Sequence, residues 1–168
     1  MSRNFFVDMV SAAEVAIRRP VEVVWPCLLN QEAWMKDFAV ERIAGPRDSE
    51  GEVRRLRSVD IHGRVVDGVE PFCFKTLRLQ PFREFAYKAY TERREGEYWF
   101  TGMELLYLQD HKQSTSVTFE VYLEFQSDRM GERELREFVA QVTEGSKGIW
   151  ARNFSRLSVL AHEKEREI

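Results

Sequence analysis

Residues 129–163 read as one helix, about 50 Å long at 1.5 Å per residue, and this length restricts the fold more than any other feature of the chain. Leu135, Val139, Val142, Trp150, Phe154, Leu157 and Ala161 keep one side of it apolar. Glu132/Arg136 and Arg133/Glu137 make i,i+4 pairs on the other side. A helix striped on one side only needs a broad apolar surface to lie on. The preceding residues supply it: Val117, Phe119, Val121, Leu123 and Phe125 alternate with Thr118, Glu120, Tyr122 and Glu124, the mark of a strand with one buried and one wet face. Gly145 and Gly148 interrupt the helix, each costing ~1 kcal/mol relative to alanine, and predict a bend or local opening there.

Upstream, turn signals at Gly45-Pro46, residues 48–51, His62-Gly63, Gln80-Pro81, residues 94–96 and residues 110–112 separate runs rich in Val, Phe, Tyr, Leu and Thr. That spacing describes some six antiparallel strands between residues 40 and 126. Before them, residues 12–18 alternate loosely and stop at Arg19-Pro20, which suits a first strand followed by a proline at the first helical position. A short helix over 21–29 follows, kept short by Pro26 and ended by Asn30, with one or two further helical turns over 31–37. Trp25 and Trp34 carry enough apolar area to anchor both pieces. The reading is a single α+β domain over residues 1–168, a curved sheet of about seven strands wrapped on a long C-terminal helix.

With 43% hydrophobic residues the chain can bury one core. No stretch approaches the ~18 apolar residues of a membrane span, and the start lacks the basic-then-apolar order of a signal peptide, so a cytoplasmic location is expected. Cys27 and Cys73 then read as small buried hydrophobes rather than a bridge. A net charge of −3, with the Arg18-Arg19, Arg54-Arg55 and Arg93-Arg94 groups diluted by acids, gives no field for nucleic acid. Phosphate-loop, dinucleotide, nucleophile-elbow and C-x-x-C patterns are absent, and His62, His111 and His162 have no partner at metal-ligand spacing, so neither a metal nor another cofactor is expected. A homodimer is left open.

The stretch Pro20-Val21-Glu22-Val23-Val24-Trp25, with Leu28, Asn30 and Trp34 behind it, resembles the opening of the START-related superfamily called SRPBCC, whose helix-grip fold is that of the birch pollen allergen. Gly51-Glu52-Val53-Arg54, His62-Gly63 with Val66 and Glu70, and Phe85-Ala86-Tyr87 resemble its later strands in order. Phe38 replaces a second tryptophan, and Pro26 inside the first helix is also a departure. The resemblance implies that two small helices close one end of the sheet, with the tryptophans as a structural plug. It also implies a cavity between sheet and long helix for a lipid, sterol, polyketide or other small hydrophobic or aromatic molecule. The superfamily's oxygenase branch carries an iron triad, and no such cluster stands in this sequence.

Function then rests on polar groups aimed inward. Tyr87 shares a face with Phe85 and Ala89 and could hold or protonate a substrate oxygen. In residues 98–109 two registers are open: either Tyr98, Phe100, Glu104, Leu106 and Leu108 face inward, or Trp99, Thr101, Met103, Leu105 and Tyr107 do. The first buries Glu104 and raises its pKa; the second leaves it solvated. Arg55 and Arg57 share a face with Val53, and turned inward either could clamp an anion; turned outward they are solvated. Tyr87, Glu104, Arg55 and Arg57 are the catalytic candidates. Phe85, Tyr98, Phe100, Phe119, Val121, Trp150, Asn153 and Phe154 are the expected ligand contacts, with Asn153 equally able to serve as a structural hydrogen-bonder. The expected activity is a cofactor-free cyclase, dehydratase or lyase. A carrier or sensor of a hydrophobic ligand is the alternative, and a protein-binding module ranks third.

Overall fold

The computed structural model describes residues 4–92 and 96–164. The Arg93-Arg94 pair and the Arg94-Glu95 part of one turn signal lie outside the described residues. In chain order the elements are β1 (Phe5–Ile17), α1 (Val21–Leu29), α2 (Gln31–Trp34), β2 (Phe38–Ala44), β3 (Val53–Ser58), β4 (Phe72–Gln80), β5 (Glu84–Thr91), β6 (Trp99–Asp110), β7 (Thr115–Ser127) and α3 (Glu132–Glu163). The strands form one antiparallel sheet in the order β1-β7-β6-β5-β4-β3-β2. Six strands run as a meander, and β1 pairs with the last of them.

β1 starts at Phe5, well before the expected residue 12. Val7 and Met9 turn into the core and keep the alternation going, while Ser11, Ala13 and Val15 are only half-buried at this edge of the sheet, which blurs the pattern that sequence reading depends on. Pro20 is the N-cap rather than the first helical residue, because its carbonyl accepts from the amides of both Val23 and Val24. α1 carries Pro26 within its nine residues and ends at Asn30.

The concave face is largely apolar. Val117, Phe119, Val121, Leu123 and Phe125 of β7 are all buried and face α3, as their alternation requires. From α3, Leu135, Val139, Trp150, Phe154, Leu157 and Ala161 enter the same core. Both i,i+4 pairs on the outer side of α3 form. α3 continues without a break through Gly145 and Gly148, so the local opening expected there does not occur; Val139 and Val142 on one side and Trp150 on the other hold the segment against the core.

Trp34 is fully buried and its indole Nε1 donates to the Leu28 carbonyl at 3.1 Å, which ties α2 to the end of α1. Its ring stacks 6.4 Å from Phe154, fixing both short helices to α3. Trp25 packs 6.1 Å from Phe82 at the β4–β5 turn. At Gly102, a Cβ would lie 2.7 Å from the Leu123 Cα and collide with the Tyr122 carbonyl oxygen. Only a glycine lets β6 approach β7 so closely.

Candidate functional site

Between the concave face and α3 lies a cavity of about 330 Å³. β6 places Phe100 and Glu104 in its wall, and Tyr98 stands just ahead of that strand. The first of the two registers is therefore the one adopted: Glu104, Leu106 and Leu108 are buried, and Met103 and Tyr107 are exposed. Two causes fix it. Leu106 and Leu108 are buried in the core, and the inward positions of β7 already set the parity of the strand beside it. β4 adds Phe72 and Phe74, β7 adds Val121, Leu123 and Phe125, and α3 adds Val142, Gly145, Ser146, Ile149 and Trp150.

Glu104 is the polar group set deepest in this wall. It is 6% exposed, and the Tyr87 hydroxyl, directly opposite it across the β5–β6 ladder, donates to its Oε2 at 2.9 Å. Burial pushes the Glu104 carboxyl up to about 8, the hydrogen bond from Tyr87 only partly opposing it, so at neutral pH the group is mostly a protonated acid. Burial, then the Glu104 charge and their shared hydrogen bond, raise the Tyr87 phenol well above its ordinary value. Tyr87 does not itself reach the cavity. It lies behind Glu104, its ring 4.2 Å from Phe74 and 5.2 Å from Phe85, and it positions the carboxyl that does.

Tyr98, Phe100, Val121 and Trp150 line the cavity. Phe85 does not; it is buried on the far side of Tyr87. Phe119 stacks behind Trp150 at 3.7 Å between ring centroids and, with Phe154, faces a separate groove between β1 and α3. Asn153 is fully buried, but its Oδ1 accepts from Arg156 Nη1 at 3.0 Å, and Arg156 in turn pairs with Asp37 at 2.6 Å. That bonding ties α3 to the segment after α2, and Asn153 is not part of the cavity wall.

Arg55 and Arg57 do not turn inward. Leu56 is fully buried, so its two neighbours must point to the convex side. There Arg55 pairs with Glu92 at 2.9 Å and Glu41 at 3.5 Å, and Arg57 is exposed. The inward arginine of β3 is Arg54, which the sequence places only in a diluted, solvated Arg54-Arg55 group; it is buried. Its Nη1 donates to the Leu29 carbonyl and to Gln31 Oε1, and its Nη2 to Asp48 and Glu52, both at 2.8 Å. This buried node welds the α1–α2 junction to β3. The alternation with Leu56 was the signal that could have found it. Phe72, Phe74 and Gly145 were equally unassigned, although the parity of Phe72-Cys73-Phe74 placed both rings on one face. Cys27 and Cys73 are free and buried, and burial raises the Cys73 thiol to about 11.

Neither a family model nor a curated protein sequence matches the chain. Solved structures do. Norcoclaurine synthase from Thalictrum flavum, in complex with dopamine and hydroxybenzaldehyde, superposes with a TM-score of 0.61 at 14% identity over 94% of this chain and 88% of its own. The fold is the helix grip. Ara h 8.0201 matches with a TM-score of 0.57 at 11% identity, covering 94% of this chain and 99% of its own. A conserved protein from Geobacillus kaustophilus gives 0.64 at 15% identity over 92% and 96%. The helix-grip chain described here shares with them its curved sheet, two short helices and long C-terminal helix. Among its described residues, no group of three or more His, Cys, Asp or Glu side chains could hold a metal ion, and no helix is long and apolar enough to cross a membrane.

Proposed function

We propose that the protein binds a small hydrophobic or aromatic molecule in the cavity under α3 and that Glu104 acts on it as a general acid. The observation that supports this reading is a buried carboxyl, raised by burial to about 8 and oriented by one phenol, in a wall made mostly of apolar side chains. A carboxyl in that state gives its proton to a carbonyl or leaving-group oxygen, and the Tyr87 hydroxyl, already donating to it, stabilises the carboxylate that remains. Reactions of this type include the dehydration, cyclisation and lyase steps expected of a catalyst that works through its own side chains. Norcoclaurine synthase, an enzyme of the same fold, supports a catalytic rather than a purely storage role.

The test has two parts. Native mass spectrometry of the purified chain identifies a co-purifying molecule, and turnover of that molecule is compared between wild type and Glu104→Gln. A loss of about 100-fold or more is expected for removal of a general acid. If the molecule binds but is recovered unchanged from both proteins, the protein is a carrier or sensor and the catalytic assignment fails.

A further inference from the structure

The convex face of the sheet, turned away from α3, has a pattern of its own. Val10 of β1 is directly opposite Tyr122 of β7, and Tyr122 is directly opposite Met103 of β6. All three are exposed, at 65%, 45% and 42%. Tyr107, two positions along the same face of β6 from the half-buried Leu105, extends the row. The solvent side of an antiparallel sheet is ordinarily polar. A contiguous apolar band from the edge strand β1 across β7 to β6, with charges beside it, has the make-up of an interface core and rim.

The charges at those margins are segregated. Asp8, Glu14, Glu120 and Glu124 lie on β1 and β7; Lys75, Arg78 and Lys88 lie on β4 and β5, with Glu84, paired to Arg78 at 3.4 Å, the one acid among them. Lys75 and Lys88 are direct cross-strand partners and both exposed. Like charges facing each other across a ladder are unfavourable within one chain, and an acid from outside relieves them.

We propose that this face packs against the same face of a second copy, about a two-fold axis running along β6. Rotation about an axis parallel to the strands exchanges the two sides of the sheet, so β7 of one copy lies over β5 of the other and acids meet lysines. An axis across the strands would stack β7 on β7 and oppose Glu120 and Glu124 to themselves. The charge pattern therefore selects one symmetry. The contact is isologous and closes at two copies, with Tyr122 and Met103 at its centre and the cavity under α3 on the opposite side of each sheet.

Sedimentation velocity on the intact chain tests this. A species of twice 19.9 kDa is expected, dissociating as salt is raised. Lys75→Glu/Lys88→Glu and Glu120→Lys/Glu124→Lys should each weaken dimerisation by about tenfold or more, while an equimolar mixture of the two reversed proteins should recover a dimer, which also shows that both are folded. A chain that is monomeric at every concentration, or reversed proteins that fail to associate when mixed, would overturn the proposal. So would a dimer indifferent to both reversals, which would place the contact elsewhere, for instance along the free edge of β1.

Discussion

Tyr87 and Glu104 face each other across the β5–β6 ladder with the phenol donating to the carboxyl, and both are buried. The ladder holds the two side chains at ordinary cross-strand distance, so the pair is fixed by backbone rather than by flexible side-chain placement. This makes the acid–base behaviour of Glu104 dependent on one neighbour. Tyr87→Phe removes the hydrogen bond that lowers the carboxyl's pKa and leaves burial unopposed. The pH at which Glu104 ionises should move upward from about 8. Activity carried by the protonated acid falls through about 8 in the wild type and at a higher pH in the variant; a pH–rate profile or direct titration of Glu104 checks it, and a downward shift would contradict the assigned geometry.

Glu104 also links stability to pH. Its folded value is raised from 4.5 to about 8, so between those limits the native state holds a proton that the unfolded state has lost. Stability therefore declines as pH rises from about 4.5 to about 8 and levels off above. Glu104→Gln keeps the shape and cannot ionise, so it should remove this slope and be more stable than wild type at pH 8. Denaturant midpoints measured across the range decide it.

The Arg54 node is structural. Replacing Arg54 by methionine leaves Glu52, itself 1% exposed, with a buried and unpaired charge, and should cost about 3 kcal/mol of stability. Arg55→Ala and Arg57→Ala on the convex side should change stability by only about 0.5 kcal/mol and leave ligand binding and turnover intact. Thermal unfolding and a binding isotherm separate the two classes.

At Gly145 a Cβ would meet nothing within 4 Å, although the residue borders the cavity. Gly145→Ala should stabilise α3 by about 0.5–1 kcal/mol. Gly145→Phe should keep the fold and weaken binding of the co-purifying molecule, because a ring there covers the cavity's rim. Comparing unfolding midpoints with affinities tests both.

The fold was legible wherever apolar residues keep a strict period. β7 and α3 announced themselves through Val117–Phe125 and Leu135–Ala161, and α1 was bounded correctly by Pro20 and Asn30. The site was legible only in part. Tyr87 and Glu104 could each be named, but period-2 alternation gives two faces without saying which is inward, and in residues 98–109 both faces are apolar. Leu56 resolved β3 against Arg55 and Arg57, yet a single leucine among three arginines carries little weight before the neighbouring strands are placed. The Arg54 node joins residues 23 and 25 positions apart in the chain, a relation that no local pattern expresses. Phe85 and Phe119 have the right parity for the cavity and are screened from it by Tyr87 and Trp150, which is a matter of depth rather than of face.

The crowding at Gly102 reaches beyond that residue. Because its hydrogen is all that fits between β6 and the backbone of β7, the closeness of these two strands in the chamber's floor is written into the main chain and not into the groups that coat the chamber. Exchanging that coating for a different guest would alter the chamber's texture while leaving this seam between the strands untouched. The seam answers to one position where the smallest residue is the only tenant the masonry admits.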